Sequence, residues 1–316
     1  MPALSILARL SVLVTLAAPV ACTPPMATDT PPAAPAFAPL SWDDLTRRPR
    51  PRADATVAYG TDHMQKVDVW LPDRRGPRPV VLMVHGGCWQ TSIADRTLMD
   101  WIAGDLRASG VAVWNIDYRG VDRAGGGYPG TFADTAAAAD ALRANATRFG
   151  LDAGRVVAVG HSAGGHLALW LAARARLPQG SPLATATPLP IAHVVSLGGL
   201  PDLEATASSP DNGCGTEVVA KLTGGRYADT SVPRLFPLGV PQDLVNGRED
   251  RIIPLRMATD YVARATAAGD RARLHVVPRT GHVELVTPGT AAWIEAKRLT
   301  LAALGVPDHA RDTAER

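Results

Sequence analysis

The chain has 316 residues, 46% of them hydrophobic and 20% charged, with a formal net charge of +2. That balance is ordinary for a globular protein with a buried core, and the length allows one large α/β domain or two small ones. The arginines are scattered, with no basic run interleaved with aromatics, so neither nucleic acid nor a polyanion is indicated as partner.

The first segment, MPALSILARLSVLVTLAAPVAC, carries one positive residue, Arg9, then an apolar run from Leu10 to Ala18, then small residues before Cys22. This is the layout of a secretory signal peptide over residues 1–22, too short for a mature membrane span. Ala21-Cys22 also resembles a bacterial lipoprotein signal, which makes Cys22 a candidate for lipidation and membrane attachment, although Pro19 stands where an aliphatic residue is usual. A periplasmic, membrane-anchored or secreted protein is expected. Residues 23–39 (TPPMATDTPPAAPAFAP) lack any apolar period and read as a linker. One domain is expected over 40–305, followed by a frayed polar tail, 306–316.

Within the domain, strands are predicted at Gln65–Leu71, Val80–His85, Val111–Asp117, Val156–Gly160, Val194–Leu197, Gln242–Asn246 and Arg273–Val277. Helices are predicted at Ala94–Ser109, Thr131–Arg148, Ala163–Arg174, Pro254–Ala268 and Thr290–Leu301. Runs such as VVLMVHG, VAVWNID and VVAVG are apolar on both faces, as strands buried in a parallel sheet must be. Strand–helix alternation then gives a mostly parallel sheet covered on both sides, with active groups at the carboxyl ends of its strands.

The chemistry-bearing motifs fall at those ends. Val84–Trp89 (VHGGCW) closes an early strand with two glycines, so backbone N–H groups of Gly86, Gly87 or Cys88 can turn toward a reacting oxygen. The DRAGGGYPG stretch after the third strand is too irregular for a dinucleotide fingerprint and reads as an active-site loop; Trp89 and Tyr128 are candidates for the substrate pocket or, equally, for aromatic core packing. Gly160-His161-Ser162-Ala163-Gly164 fits G-x-S-x-G between a strand and a helix, where tight glycines present a strained serine with its hydroxyl outward and the Ala163 N–H beside it.

A serine hydroxyl needs a base, and the base an orienting acid. The acid belongs after a late strand, where LVNGREDRIIPL offers Asp250 and, as runner-up, Glu249; Asp202 and Glu204 lie one strand earlier. His282, in PRTGHVELVTP between the last strand and the last helix, is placed to swing over the sheet edge as base. His161 and His166 flank the serine but point elsewhere, and His193 and His275 lie in or beside strands. Besides Cys22 the cysteines are Cys88 and Cys214, a candidate disulfide in an oxidising compartment. No Cys or His cluster has ligand spacing, so neither a metal nor another cofactor is expected.

Ser162, Asp250 and His282 in that order, with HGG upstream, resemble the α/β-hydrolase superfamily over about residues 55–305. HGGCW, VWNIDYRG, GGGYPGTFAD and GHVELVTP are similar to the kynurenine formamidase-like and feruloyl-esterase-like branch, whose bacterial members are mostly described only as esterases or hydrolases. The resemblance implies Ser162 as nucleophile, Asp250 as acid, His282 as base and Gly86–Cys88 as oxyanion loop. It departs at Asn246-Gly247, where relatives often have His-Gly, and in a short cap around residues 203–225. The expected activity is hydrolysis of small carboxylic esters. Rival readings are an arylformamidase, an exported peptidase, and a binding protein on a hydrolase fold.

Overall fold

The computed structural model describes residues 37–74 and 76–308. The expected leader with Cys22, the linker up to residue 36 and the tail from 309 lie outside the described residues. Phe37–Pro39, assigned by sequence to the linker, instead pack on the domain: Arg279 lies over the Phe37 ring at 5.4 Å, and the Gly281 backbone leaves room for Pro39.

The chain runs in the order α1 (Trp42–Thr46), β1 (Ala55–Ala58), β2 (Lys66–Trp70), β3 (Arg78–Val84), α2 (Asp100–Ala108), β4 (Ala112–Ile116), α3 (Gly130–Phe149), β5 (Leu151–His161), α4 (Ala163–Ala173) and β6 (His193–Leu197). Three short helices follow, α5 (Leu203–Ala207), α6 (Thr216–Thr223) and α7 (Tyr227–Thr230). The chain then closes with β7 (Gln242–Gly247), α8 (Leu255–Ala267), β8 (Ala272–Val277) and α9 (Ala291–Leu304). The strands form one eight-stranded sheet in the order β1-β2-β4-β3-β5-β6-β7-β8. β1–β2 and β2–β4 pair antiparallel and every other pair is parallel. This is the α/β-hydrolase fold.

Residue chemistry explains the layering. β4 and β7 are buried along their whole length, whereas the edge strands β1 and β8 are only partly covered. One hydrophobic core gathers Phe132 of α3, Leu167 and Trp170 of α4 and Tyr261 of α8 against one sheet face. The other packs Trp101 and Ile102 of α2 and Trp293 and Leu301 of α9 on the opposite face. Burial of each such side chain is worth roughly 1.5–3 kcal/mol, so the two layers hold the strand ends in register.

The helix expected from Ala94 begins only at Asp100. Before it, Arg96–Met99 forms a tighter 3-10 turn capped by Asp95. Arg96 is drawn out of helical geometry because its side chain pairs with Asp68 and Asp117 and its carbonyl accepts from Asn115 Nδ2 at 2.8 Å.

Candidate active site

Ser162 sits at the turn from β5 into α4 with φ 54° and ψ −122°, a conformation that costs of order 1–3 kcal/mol for a non-glycine residue. The neighbouring glycines are there for space. A Cβ on Gly160 would collide with the Gly164 carbonyl, one on Gly164 with the Val84 carbonyl, and one on Gly165 would lie 2.6 Å from Ser196 Oγ. The turn is fixed from below by the Ser162 N–H, which donates to the Leu197 carbonyl at 2.8 Å.

The oxyanion-loop candidates approach from the end of β3. Gly86 passes so close that a Cβ there would stand 3.0 Å from Ser162 Cβ. Gly87, Cys88 and Trp89 then follow with φ of 99°, 52° and 54°, three left-handed residues in succession, two of them with side chains. Such a run persists only when its surroundings over-determine it. The Cys88 sulfur is bonded to Cys214 of the cap, the Gln90 N–H donates to the Gly87 carbonyl at 2.9 Å, and the Val121 N–H donates to the Trp89 carbonyl at 2.7 Å. Among the described residues, no hydrogen bond engages the N–H groups of Gly87, Cys88 or Ala163. Trp89 does not wall the pocket as expected: its ring is wholly buried, edge-on to His166 at 5.6 Å, because a large indole gains more from the core than from the rim. Tyr128 is tied to the cap by its hydroxyl, which donates to Asp229 Oδ2 at 2.6 Å.

His282 follows β8 and Asp250 follows β7. Nδ1 of His282 donates to Asp250 Oδ2 at 2.7 Å, and both side chains are almost fully enclosed. The other carboxylate oxygen accepts the N–H groups of Ile252 at 2.8 Å and Ile253 at 3.0 Å, which locks Asp250 inward. Glu249 turns the other way and accepts the Thr280 N–H at 3.0 Å, bracing the histidine loop without touching the imidazole. Asp202 caps α5 and pairs with Arg264, and Glu204 pairs with Arg234, so both earlier acids are committed to the cap and its neighbours.

The remaining histidines are occupied elsewhere. His161 Nε2 donates to the His282 carbonyl at 3.2 Å, and burial, with His282 close by, holds its pKa well below the ordinary value. His166 donates to the Thr230 carbonyl at 2.8 Å and is pushed down to about 4 by burial. His193 and His275 are both taken up by Asp243, each at 2.7 Å. Among the described residues, no group of three or more His, Cys, Asp or Glu side chains is arranged to hold a metal ion.

Three supporting residues escaped sequence reasoning. His85, directly before the two glycines, meets the Gly86 carbonyl at 2.6 Å and Asp117 at 3.0 Å, while the Tyr118 hydroxyl donates to its carbonyl at 3.0 Å. The histidine's position at the strand end was the available signal. Glu284, two residues after His282, accepts the N–H groups of Gly281 and Leu40 and so fixes the histidine loop to the N-terminal segment. Trp42 stands edge-on to His282 at 6.4 Å and to His161 at 6.0 Å, a contact across more than a hundred residues that no local pattern announces.

The family model BD-FAE matches residues 67–260. Esterase LipC of Mycobacterium tuberculosis is 28% identical over 226 residues, which is 67% of this chain and 54% of LipC, so the chain spans about half the length of that curated relative. Among solved structures, a truncated carbohydrate esterase from gut microbiota aligns with a TM-score of 0.66 at 19% identity, covering 81% of this chain and 100% of that one. A thermophilic esterase of Thermogutta terrifontis with bound propionate aligns with a TM-score of 0.66 at 20% identity, covering 80% and 96%. At these identities the two structures establish the fold.

Proposed function

The chain belongs to the BD-FAE family, and on that footing we propose that it is an exported serine hydrolase acting on small carboxylic esters. The observation that carries the reading is the 2.7 Å contact between His282 Nδ1 and Asp250, on a loop whose His282 carbonyl meets His161, the residue before the strained Ser162; among the described residues the N–H groups of Gly87, Cys88 and Ala163 are unengaged. An acid holding Nδ1 leaves Nε2 free to accept a proton.

In the proposed reaction Ser162 Oγ attacks the ester carbonyl carbon and His282 Nε2 takes the hydroxyl proton. Negative charge moves to the carbonyl oxygen, where the Ala163 N–H and an N–H from Gly86, Gly87 or Cys88 stabilise it; one such donor is typically worth roughly 10²–10³ in kcat. Collapse breaks the bond to the alcohol oxygen, which leaves with the proton from His282. Water then attacks the acyl carbon as His282 takes its proton, and collapse breaks the bond to Ser162 Oγ, which regains that proton from His282 as the carboxylic acid leaves. Asp250 holds the imidazole in the right tautomer and balances its transient positive charge.

Export is supported by the leader pattern over residues 1–22 and by the Cys88–Cys214 bond, which suits an oxidising compartment. Lipidation of Cys22 would hold the enzyme at a membrane surface.

The test compares kcat/KM for p-nitrophenyl acetate, N-formylkynurenine and a peptide amide, with Ser162→Ala as control. The proposal expects the ester to be turned over far faster than the other two and the variant to lose about 10⁶ in kcat. Preferential turnover of the formamide or the peptide would replace the ester reading.

A further inference from the structure

The N-terminal segment does more than lead into the domain. The Leu40 N–H is bound by Glu284 at 2.7 Å, Ser41 and Asp44 form a capping box on α1, and Arg48 donates to the Pro288 carbonyl at 2.9 Å. These bonds hold Trp42 over the histidine loop. Between them lies an open hollow of about 270 Å³ lined by Leu40, Trp42, Ile252, His282 and Val283, with the charged Glu249 and Arg251 also on its wall. Large hydrophobic side chains are seldom left to water in this protein. Among the described residues the exposed ones are Trp42, Ile93, Ile252 and Ile294, and Trp42 (39% exposed) and Ile252 (42%) both line this hollow.

His282 itself lines the hollow, and that assigns the hollow a role. In ester hydrolysis the alcohol oxygen leaves by taking a proton from the histidine, so the alcohol half lies on the histidine's side of the carbonyl, while the oxyanion donors hold the carbonyl oxygen. We propose that the Trp42–Ile252 hollow is the subsite for the alcohol half of the substrate, and that it selects esters whose alcohol carries an aryl or branched alkyl group. The size agrees: a dry cavity of about 150 Å³ accommodates benzene. Trp42 supplies a flat aromatic wall, suited to edge-on or offset contact with a ring. The inference rests on the ester-hydrolase reading, with Trp42 and Ile252 as specificity residues.

The experiment measures kcat/KM of wild type, Trp42→Ala, Trp42→Phe and Ile252→Ala on methyl acetate, benzyl acetate and methyl butyrate. Trp42→Ala and Ile252→Ala are expected to lower the benzyl-to-methyl preference by roughly tenfold, mostly through KM, with Trp42→Phe recovering most of it and the butyrate-to-acetate preference unmoved. An unchanged benzyl preference, or a shift in acyl preference instead, overturns the assignment. A second measurement separates this from the reaction itself: benzyl alcohol is titrated into Ser162→Ala with and without Ile252→Ala, followed by the part of the tryptophan fluorescence change that Trp42→Phe removes. Binding lost with Ile252→Ala supports the subsite even if no ester is hydrolysed; binding that is absent, or indifferent to Ile252, overturns it. Wild-type inactivity on every ester counts against the proposed reaction alone.

Discussion

Asp250 and Glu249 are adjacent in sequence and serve different loops: Asp250 meets the His282 imidazole at 2.7 Å, whereas Glu249 accepts a backbone N–H from Thr280. The difference follows from the turn after β7, where the N–H groups of Ile252 and Ile253 draw the Asp250 carboxylate inward. Asp250→Asn is therefore expected to lower kcat by about 10⁴, because an amide no longer enforces the tautomer with a proton on Nδ1. Glu249→Gln keeps an oxygen for Thr280 and is expected to cost less than about tenfold in kcat. Steady-state kinetics on one ester decides, and equal losses in the two variants would contradict the division of roles.

Cys88 lies in the left-handed run of the proposed oxyanion loop, and its bond to Cys214 closes a sequence separation of 126 residues. Replacing both cysteines with serine is expected to reduce stability by about 2–5 kcal/mol and to lower kcat as the loop relaxes from its strained backbone. Treatment of the wild type with reductant should reproduce both effects in thermal melts and kinetics. Unchanged activity in a destabilised double variant would show that the loop holds its shape without the bond.

Asp100 opens α2 inside the core, its Oδ1 has no hydrogen-bond partner among the described residues, and Arg50 stands 3.8 Å from Oδ2. Burial, only partly offset by Arg50, pushes its carboxyl up to about 7. The folded protein therefore holds this proton more tightly than the unfolded chain, whose aspartates titrate near 4. Folding incurs no penalty from Asp100 below about pH 4, a growing one between about pH 4 and 7, and a constant one above, on the order of 4 kcal/mol. Asp100→Asn should melt higher than wild type at pH 8, with the gap narrowing at pH 5. A gap independent of pH would mean that ionisation of Asp100 is not its source.

Much of this architecture was legible because it is local. Inner strands apolar on both faces, the G-x-S-x-G turn and the two glycines after β3 each state their geometry within a few residues. β1 was missed because Ala55–Ala58 is a four-residue edge strand whose alternation is too short to stand out. β5 begins at Leu151, earlier than the apolar run suggests, since its first residues pair with Arg78 where the register breaks and much of that stretch is exposed. Trp42 and Glu284 draw their roles from the packing of segments about 240 residues apart, and no pattern in either segment alone carries that information. For Trp89 the sequence leaves pocket and core both open, and the fully buried ring takes the core.

Ser162 is the proposed nucleophile. That role is tested most directly by treating the full chain with a fluorophosphonate and locating the adduct by mass spectrometry while residual ester hydrolysis is followed. One stoichiometric adduct on Ser162 is expected, with activity lost in proportion to it and no adduct in Ser162→Ala. Ester hydrolysis that continues with Ser162 fully modified, or inactivation through an adduct elsewhere, would contradict it.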